Sequence, residues 1–201
     1  MDACRGISFI DSITVKLCYV KREKQYQAMK GLATKSKSTM RWFFVPKAFG
    51  IKLHLIISDQ RGILSFYLTK ANVDDRDMKV IASLTENIFG KLFGDRGYIS
   101  QKLANYLWND GIDLIYKRRK NMKKQNLSDT DKILLRKRAL IESVNDELKN
   151  ICAIEHSRHR SPAGFIINLV SGLCAYRFLP KKPSLNIQPH KNNNGQLLLA
   201  A

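Results

Sequence analysis

Three runs rich in β-branched residues come before the first helical pattern, and this order constrains the fold more than any other feature of the chain. The first run is "ISFIDSITVKL" (Ile7 to Leu17); the second and third lie within "GIKLHLIISDQRGILSFYLTKANV" and meet at Asp59 to Gly62, a hairpin signal. A basic, Ser/Lys-rich excursion separates the first from the second. Beyond them come a helical pattern ("MKVIASLTENIF"), a short strand ending at Asp95 ("KLFGDRG"), a helix ("SQKLANYLWND") stopped by Gly111, and another strand ("IDLIYKR"). From Asp131 the periodicity is helical again, with Leu134, Ile141, Val144, Leu148 and Ile151 on one face, which is assigned to the core. The apolar stretch from Ala163 to Phe178 is short for a bilayer span and is interrupted by Asn168, Ser171 and Arg177, so it predicts a buried helix and no membrane partner. No repeat or linker divides the chain, which gives one domain over residues 1–179 and a C-terminal tail, 180–201, expected to be poorly ordered.

Laid out as a sheet with helices, the order matches an α/β, ribonuclease H-like fold: a mixed five-stranded sheet flanked by helices, with an extra hydrophobic helix at the C-terminal end. In that arrangement the first and fourth strands are neighbours. Asp11, an unusual carboxylate in mid-strand, and Asp95 would then face one spot, and Glu142 on the last sheet-covering helix would close over it. Taken singly, each acid has an ordinary explanation: Asp11 as a turn residue, Asp95 in an Asp/Gly loop, Glu142 as a solvated partner of Arg138. Their joint reading rests on spacing, because the 47 positions from Asp95 to Glu142 hold one helix, one strand and part of another helix without room for an inserted domain. Three carboxylates brought together repel one another and need cations, and an all-oxygen set suits Mg²⁺ or Mn²⁺. Two such ions could polarise a phosphodiester, activate a water or a 3′ hydroxyl, and stabilise the leaving oxygen. Gly94 and Gly97 are expected to let backbone and nucleic acid approach Asp95 closely. Arg138, Glu142, Asn145 and Lys149 form a polar stripe beside the apolar helix face. Asp74, Asp75 and Asp77 are read as acids capping the helix that follows rather than as ligands.

The chain of 201 residues carries 35 Lys and Arg against 17 Asp and Glu, a formal charge of +18, which points to a polyanion as partner. The charge is concentrated in two runs, Lys16 to Ala48 and Lys117 to Arg138, the second opening with Lys117, Arg118 and Arg119. Within the first, Trp42, Phe43 and Phe44 suit either base stacking or core packing. "HSRHR" (His156 to Arg160) suits a metal or acid-base role through its histidines, or a phosphate-contacting turn through Arg158 and Arg160. Cys4, Cys18, Cys152 and Cys174 are scattered, so neither a zinc site nor a disulfide framework is indicated, and a cytoplasmic location is expected.

The blocks "FIDS", "KLHLIISDQRGILSFYLT", "NVDDR", "GKLFGDRGYIS", "LLRKRALIESVNDELKN", "IEHSRHRSP" and "PKKPSL" resemble, in order, those of the DDE transposases of bacterial insertion sequences, most closely the insertion-sequence 982 family. The resemblance runs from about Ile7 to Leu185. It implies Asp11, Asp95 and Glu142 as a metal-binding catalytic triad for two Mg²⁺ or Mn²⁺ ions, with Arg138 and Lys149 on phosphates near the cut end. The implied reaction is hydrolytic cutting at the element ends of double-stranded DNA, then attack of the freed 3′ hydroxyl on target DNA, by a nucleoid-associated protein that could act as a homodimer on DNA. The family usually has a helical, DNA-binding region before the first Asp, where this sequence has ten residues. A truncated copy is therefore expected. Two other readings stay open: a related metal-dependent nuclease that cuts without joining, and a non-catalytic DNA-binding remnant.

Overall fold

The computed structural model describes residues 3–19, 24, 27–35, 48–119, 121–122, 127–155, 161–180, 182, 189–191 and 197–199. Trp42, Phe43, Phe44 and the segment from His156 to Arg160, with Arg158 and Arg160, lie outside them. The strands are β1 (Ile7–Tyr19), β2 (Thr34–Lys35), β3 (Ala48–Ser58), β4 (Ile63–Lys70), β5 (Gly90–Gly94) and β6 (Ile112–Tyr116). The helices are α1 (Met78–Thr85), α2 (Gln101–Asn109), α3 (Asp129–Arg136), α4 (Ala139–Asn150) and α5 (Pro162–Arg177). In the tail, β7 (Pro189–Lys191) pairs antiparallel with β8 (Leu197–Leu199).

The six strands form one mixed sheet in which β3 pairs on one side with β1 and on the other with β2 and β4, and β1 continues to β5 and then β6. Pairing is antiparallel among β1, β3 and β4, and parallel from β1 through β5 to β6. This is the ribonuclease H-like layout anticipated from element order. The sixth strand is the two-residue β2, contributed by the basic excursion where five strands were expected.

Alternation along the strands divides the core between the two faces of the sheet. Phe9, Val15, Leu53, Leu55, Ile57 and Phe93 point to one face, where α4 and α5 cover them with Ile141, Val144, Leu148, Phe165 and Leu169. Ile10, Ile56, Leu92 and Leu114 point to the other, under Val80, Ile81, Leu84, Leu103 and Leu107 of α1 and α2. The periodic stretch from Asp131 is two helices, α3 and α4, with Lys137 and Arg138 between them. Leu134, Ile141, Val144 and Leu148 are buried as expected, whereas Ile151 is exposed because it stands at the C-cap of α4, past the end of the covered face. In α5 only one stripe, Phe165, Leu169, Leu173 and Tyr176, is buried, and Ile166, Ile167 and Val170 face out. Among the described residues no helix is long and apolar enough to cross a membrane.

Of the three acids before α1, only Asp77 caps it, its carboxylate accepting from the Lys79 and Val80 amides at 3.0 and 3.3 Å. Asp74 pairs with Arg76 at 2.8 Å. Asp75 braces the sheet: it accepts from Ser12 Oγ at 2.6 Å and from Lys52 Nζ at 3.0 Å. Beside it His54 is fully buried, with Nε2 sharing a hydrogen bond of 2.9 Å with Thr69 Oγ1. Its Nδ1 stands 3.9 Å from Asp75 and has no hydrogen-bond partner among the described residues. That separation is too long for the carboxylate to hold a proton on the ring, so burial, assisted by Lys52 and opposed by Asp75, pushes the His54 pKa down to about 4.

A histidine that resists protonation only when folded makes stability fall as pH drops from the unfolded value of 6.5 towards 4, with no further loss below it. The His54→Gln variant is therefore predicted to lose about 2–3 kcal/mol less unfolding free energy than wild type between pH 7 and pH 4.5. Urea titrations at the two pH values measure the difference, and parallel losses in the two proteins would contradict it.

Candidate active site

Strand register brings the first two acids together. Phe9 of β1 pairs with Phe93 of β5, and the two rings lie 5.5 Å apart on the face covered by α4 and α5. Two residues further on stand Asp11 and Asp95. Asp95 follows the end of β5 in an extended conformation (φ −82°, ψ −177°), so the alternation carries past the strand and both carboxylates share the phenylalanine face. Packing of Ile141, Val144 and Leu148 against that face lays α4 across it, with Glu142 in its first turn.

The three carboxylates interact. Asp11 is half-buried, and burial pushes its pKa up from 3.8 to about 6; the Ser12 amide and Arg138 oppose the rise, while the charges of Asp95 and Glu142 add to it. Asn145, one turn beyond Glu142, donates Nδ2–H to Asp11 Oδ2 at 3.0 Å. Glu142 is exposed and accepts from Arg138 at 2.6 Å. Asp95 Oδ1 accepts from the Gly97 amide at 2.8 Å.

The two glycines beside Asp95 admit close neighbours from the protein itself. A Cβ at Gly94 would lie 3.1 Å from the Tyr98 ring and 3.3 Å from Ile10, so its smallness lets Tyr98 seat under the sheet. A Cβ at Gly97 would lie 2.8 Å from Asp95 Oδ1, in the space where the carboxylate folds back onto its own loop.

Three hard oxygen donors, of which Asp11 feels the charges of the other two, have the chemistry of a divalent-cation site for Mg²⁺ or Mn²⁺. As the side chains lie, no three acids, histidines or cysteines among the described residues are close enough to hold one ion together. The reason is visible in the hydrogen bonds, since Arg138 holds Glu142 and the Gly97 amide holds Asp95. The donor set thus has the chemistry for a divalent cation, while its hydrogen bonds hold Glu142 on a half-buried Arg138 and Asp95 on its own loop.

An open cleft of about 740 Å³ adjoins Asp95 and Glu142. Arg96, Lys117, Lys132, Arg136 and Arg138 line it, so five cations flank two carboxylates. Lys117 and Arg138 were singled out in the sequence; Arg96, Lys132 and Arg136 were not. The signal for the last two was their i, i+4 spacing on α3, which places both on one face. Lys132 pairs with Asp129 at 2.8 Å, whereas Arg96, Lys117 and Arg136 make no ion pair among the described residues. Arg118 is exposed and donates to the Met122 carbonyl at 2.9 Å; neither it nor Arg119 lines the cleft. Lys149 does not line this cleft; its ammonium donates to the Thr14 carbonyl at 3.1 Å and pairs with Glu155 at 3.1 Å.

Residues 1–162 match the family model described as the transposase DDE domain. Among solved structures the chain resembles a piggyBac transposase, determined by cryo-EM as a synaptic complex with hairpin DNA, with a TM-score of 0.55 and 9% sequence identity. The match covers 88% of this chain and 47% of that one, so the chain spans about half the length of that transposase. At this identity the likeness concerns the fold. No curated protein matches the chain.

Because the Asp11 charge is disfavoured by its surroundings, the Asp11→Asn variant is predicted to be more stable than wild type at pH 7 in chelator-treated buffer, by about 1–3 kcal/mol. The folded pKa lies above the unfolded one, so the penalty on wild type builds as pH rises from 3.8 to about 6, and the gap should close towards pH 4. Denaturant unfolding across that range measures it; a variant less stable than wild type at pH 7 would show that the carboxylate is supported rather than strained.

Proposed function

As the chain belongs to the transposase DDE domain family, we propose that it is a catalytic domain that cuts phosphodiester bonds at insertion-sequence ends and joins the freed 3′ ends to target DNA. The blocks shared with the insertion-sequence 982 family support that narrower placement. Asp11, Asp95 and Glu142 would hold two Mg²⁺ or Mn²⁺ ions, which supply activation of the attacking oxygen and stabilisation of the leaving one. The observation that carries this reading is the equivalent register of Asp11 and Asp95 on neighbouring parallel strands, with Glu142 in the first turn of the helix laid over them.

The remaining residues act on the nucleic acid and on each other. Arg138 pairs with Glu142 and lines the cleft beside it, so it can exchange the carboxylate for a phosphate. Arg96, Lys117 and Arg136 neutralise the backbone of double-stranded DNA entering beside Asp95. Lys149 is assigned to bracing α4 against β1, because Thr14 and Glu155 occupy its ammonium. Two copies meeting on DNA, and a nucleoid location, follow from the resemblance stated above.

The Glu142→Gln variant tests the chemistry. On supercoiled DNA carrying the element ends it should lose cleavage by at least about a hundredfold with Mg²⁺ or Mn²⁺, while DNA affinity in chelator stays within about twofold. Wild type and variant that are equally inert, yet bind DNA equally, would mark a non-catalytic DNA-binding protein; cleavage without joining would mark a nuclease.

The cleft has its own test. Replacing Lys117 and Arg136 by Ala should weaken DNA binding across all sequences and lower the slope of log affinity against log salt by about 1 for each lost phosphate contact. An unchanged slope would move the DNA to another surface.

A further inference from the structure

Asn145 sits where the apolar face of α4 would favour an aliphatic residue. It is 4% exposed, with Ile141, Val144 and Leu148 buried beside it. Its Nδ2–H donates to Asp11 Oδ2 at 3.0 Å, and its Oδ1 is buried with no hydrogen-bond partner among the described residues. Burying an amide with one end unsatisfied costs folding free energy. The fold offers no return for that cost, because α4 is already anchored to β1 by core packing and by the bond from Lys149 to the Thr14 carbonyl.

The return lies in what the amide does to Asp11. An aspartate carboxylate, carried on two rotatable bonds, can present either oxygen in many orientations, and a ligand that must be ordered on binding loses affinity. A donor fixed on a helix removes that freedom by holding one oxygen. We propose that Asn145 is a positioning residue for the metal site, clamping Asp11 through Oδ2 so that Oδ1 is held ready for a divalent cation. This rests on the assignment of Asp11 as a metal ligand. The clamp also ties the strand that carries Asp11 to the helix that carries Glu142, since Asn145 and Glu142 are three residues apart on α4.

The experiment is a Mn²⁺ titration of the purified chain without DNA, followed by calorimetry, on wild type, Asn145→Ala and Asp11→Asn, with thermal unfolding of each in chelator. Loss of a hydrogen-bonding partner behind a metal ligand lowers metal affinity by about 10–100-fold. Asn145→Ala is expected to fall in that range and to unfold in chelator within a few degrees of wild type, since the substitution also removes the orphaned Oδ1. Should Asn145→Ala not fold, Asn145→Ser, which is also too short to reach Asp11, carries the same comparison. Mn²⁺ affinity within twofold of wild type in the Asn145 variant, alongside abolished binding in Asp11→Asn, would overturn the positioning role and leave the triad standing. If wild type and Asp11→Asn do not differ in Mn²⁺ binding, the triad itself fails and the clamp with it.

Discussion

Parallel pairing of β1 with β5 sets Phe9 against Phe93, and every feature that converges on the site depends on that register. A slip of one residue would turn Asp11 or Asp95 to the opposite face of the sheet and put a phenylalanine on the wrong side of the core. The fully buried aromatic pair therefore fixes more than packing, because its burial makes the wrong register costly and so holds the two carboxylates at matching positions two residues further on. Core burial also sets the third acid. The same face that takes Phe9 and Phe93 takes Ile141, Val144 and Leu148, and this contact decides where along the sheet Glu142 lies.

Electrostatics on this frame are divided by position. The acids gather where the sheet ends beneath α4, and the burial of Asp11 together with its like-charged neighbours raises its proton affinity. The cations of the cleft come from separate elements: Arg96 after β5, Lys117 after β6, Lys132 and Arg136 from α3, and Arg138 from the step into α4. A net charge of +18 thus includes a concave cluster next to the carboxylates, where low-dielectric walls strengthen attraction for a polyanion. Asp131, the buried acid of α3, is spent inside the protein on Lys91 at 2.6 Å and on Ser128, so it does not dilute that cluster.

The fold was legible in the sequence because strand and helix periods alternate in an order that few sheets accommodate, and Gly111, at φ +76°, and Asp77 mark helix boundaries by local chemistry alone. The pairing of Asp11 with Asp95 was legible for the same reason. What escaped were properties set by tertiary contact. Asp75 looked like its capping neighbour Asp77, and only the approach of Ser12 and Lys52 from other strands makes it a brace. Lys149 looked like a phosphate ligand on a polar stripe, and only the position of Thr14 and Glu155 shows its charge to be engaged. The break at Lys137 and Arg138 left no signature in the hydrophobic period, since Leu134 and Ile141 keep to one buried face on either side of it.

The hydrogen bonds around the three acids tie each to a different kind of partner. Asp11 is held from a buried amide, so releasing it would strand a second polar group in the core. Glu142 is itself exposed and is held from outside the core by Arg138, so its release would strand no buried amide. Because Arg138 also lines the cleft, a phosphate there would compete with Glu142 for the guanidinium, which is the exchange of partners the proposed function calls for.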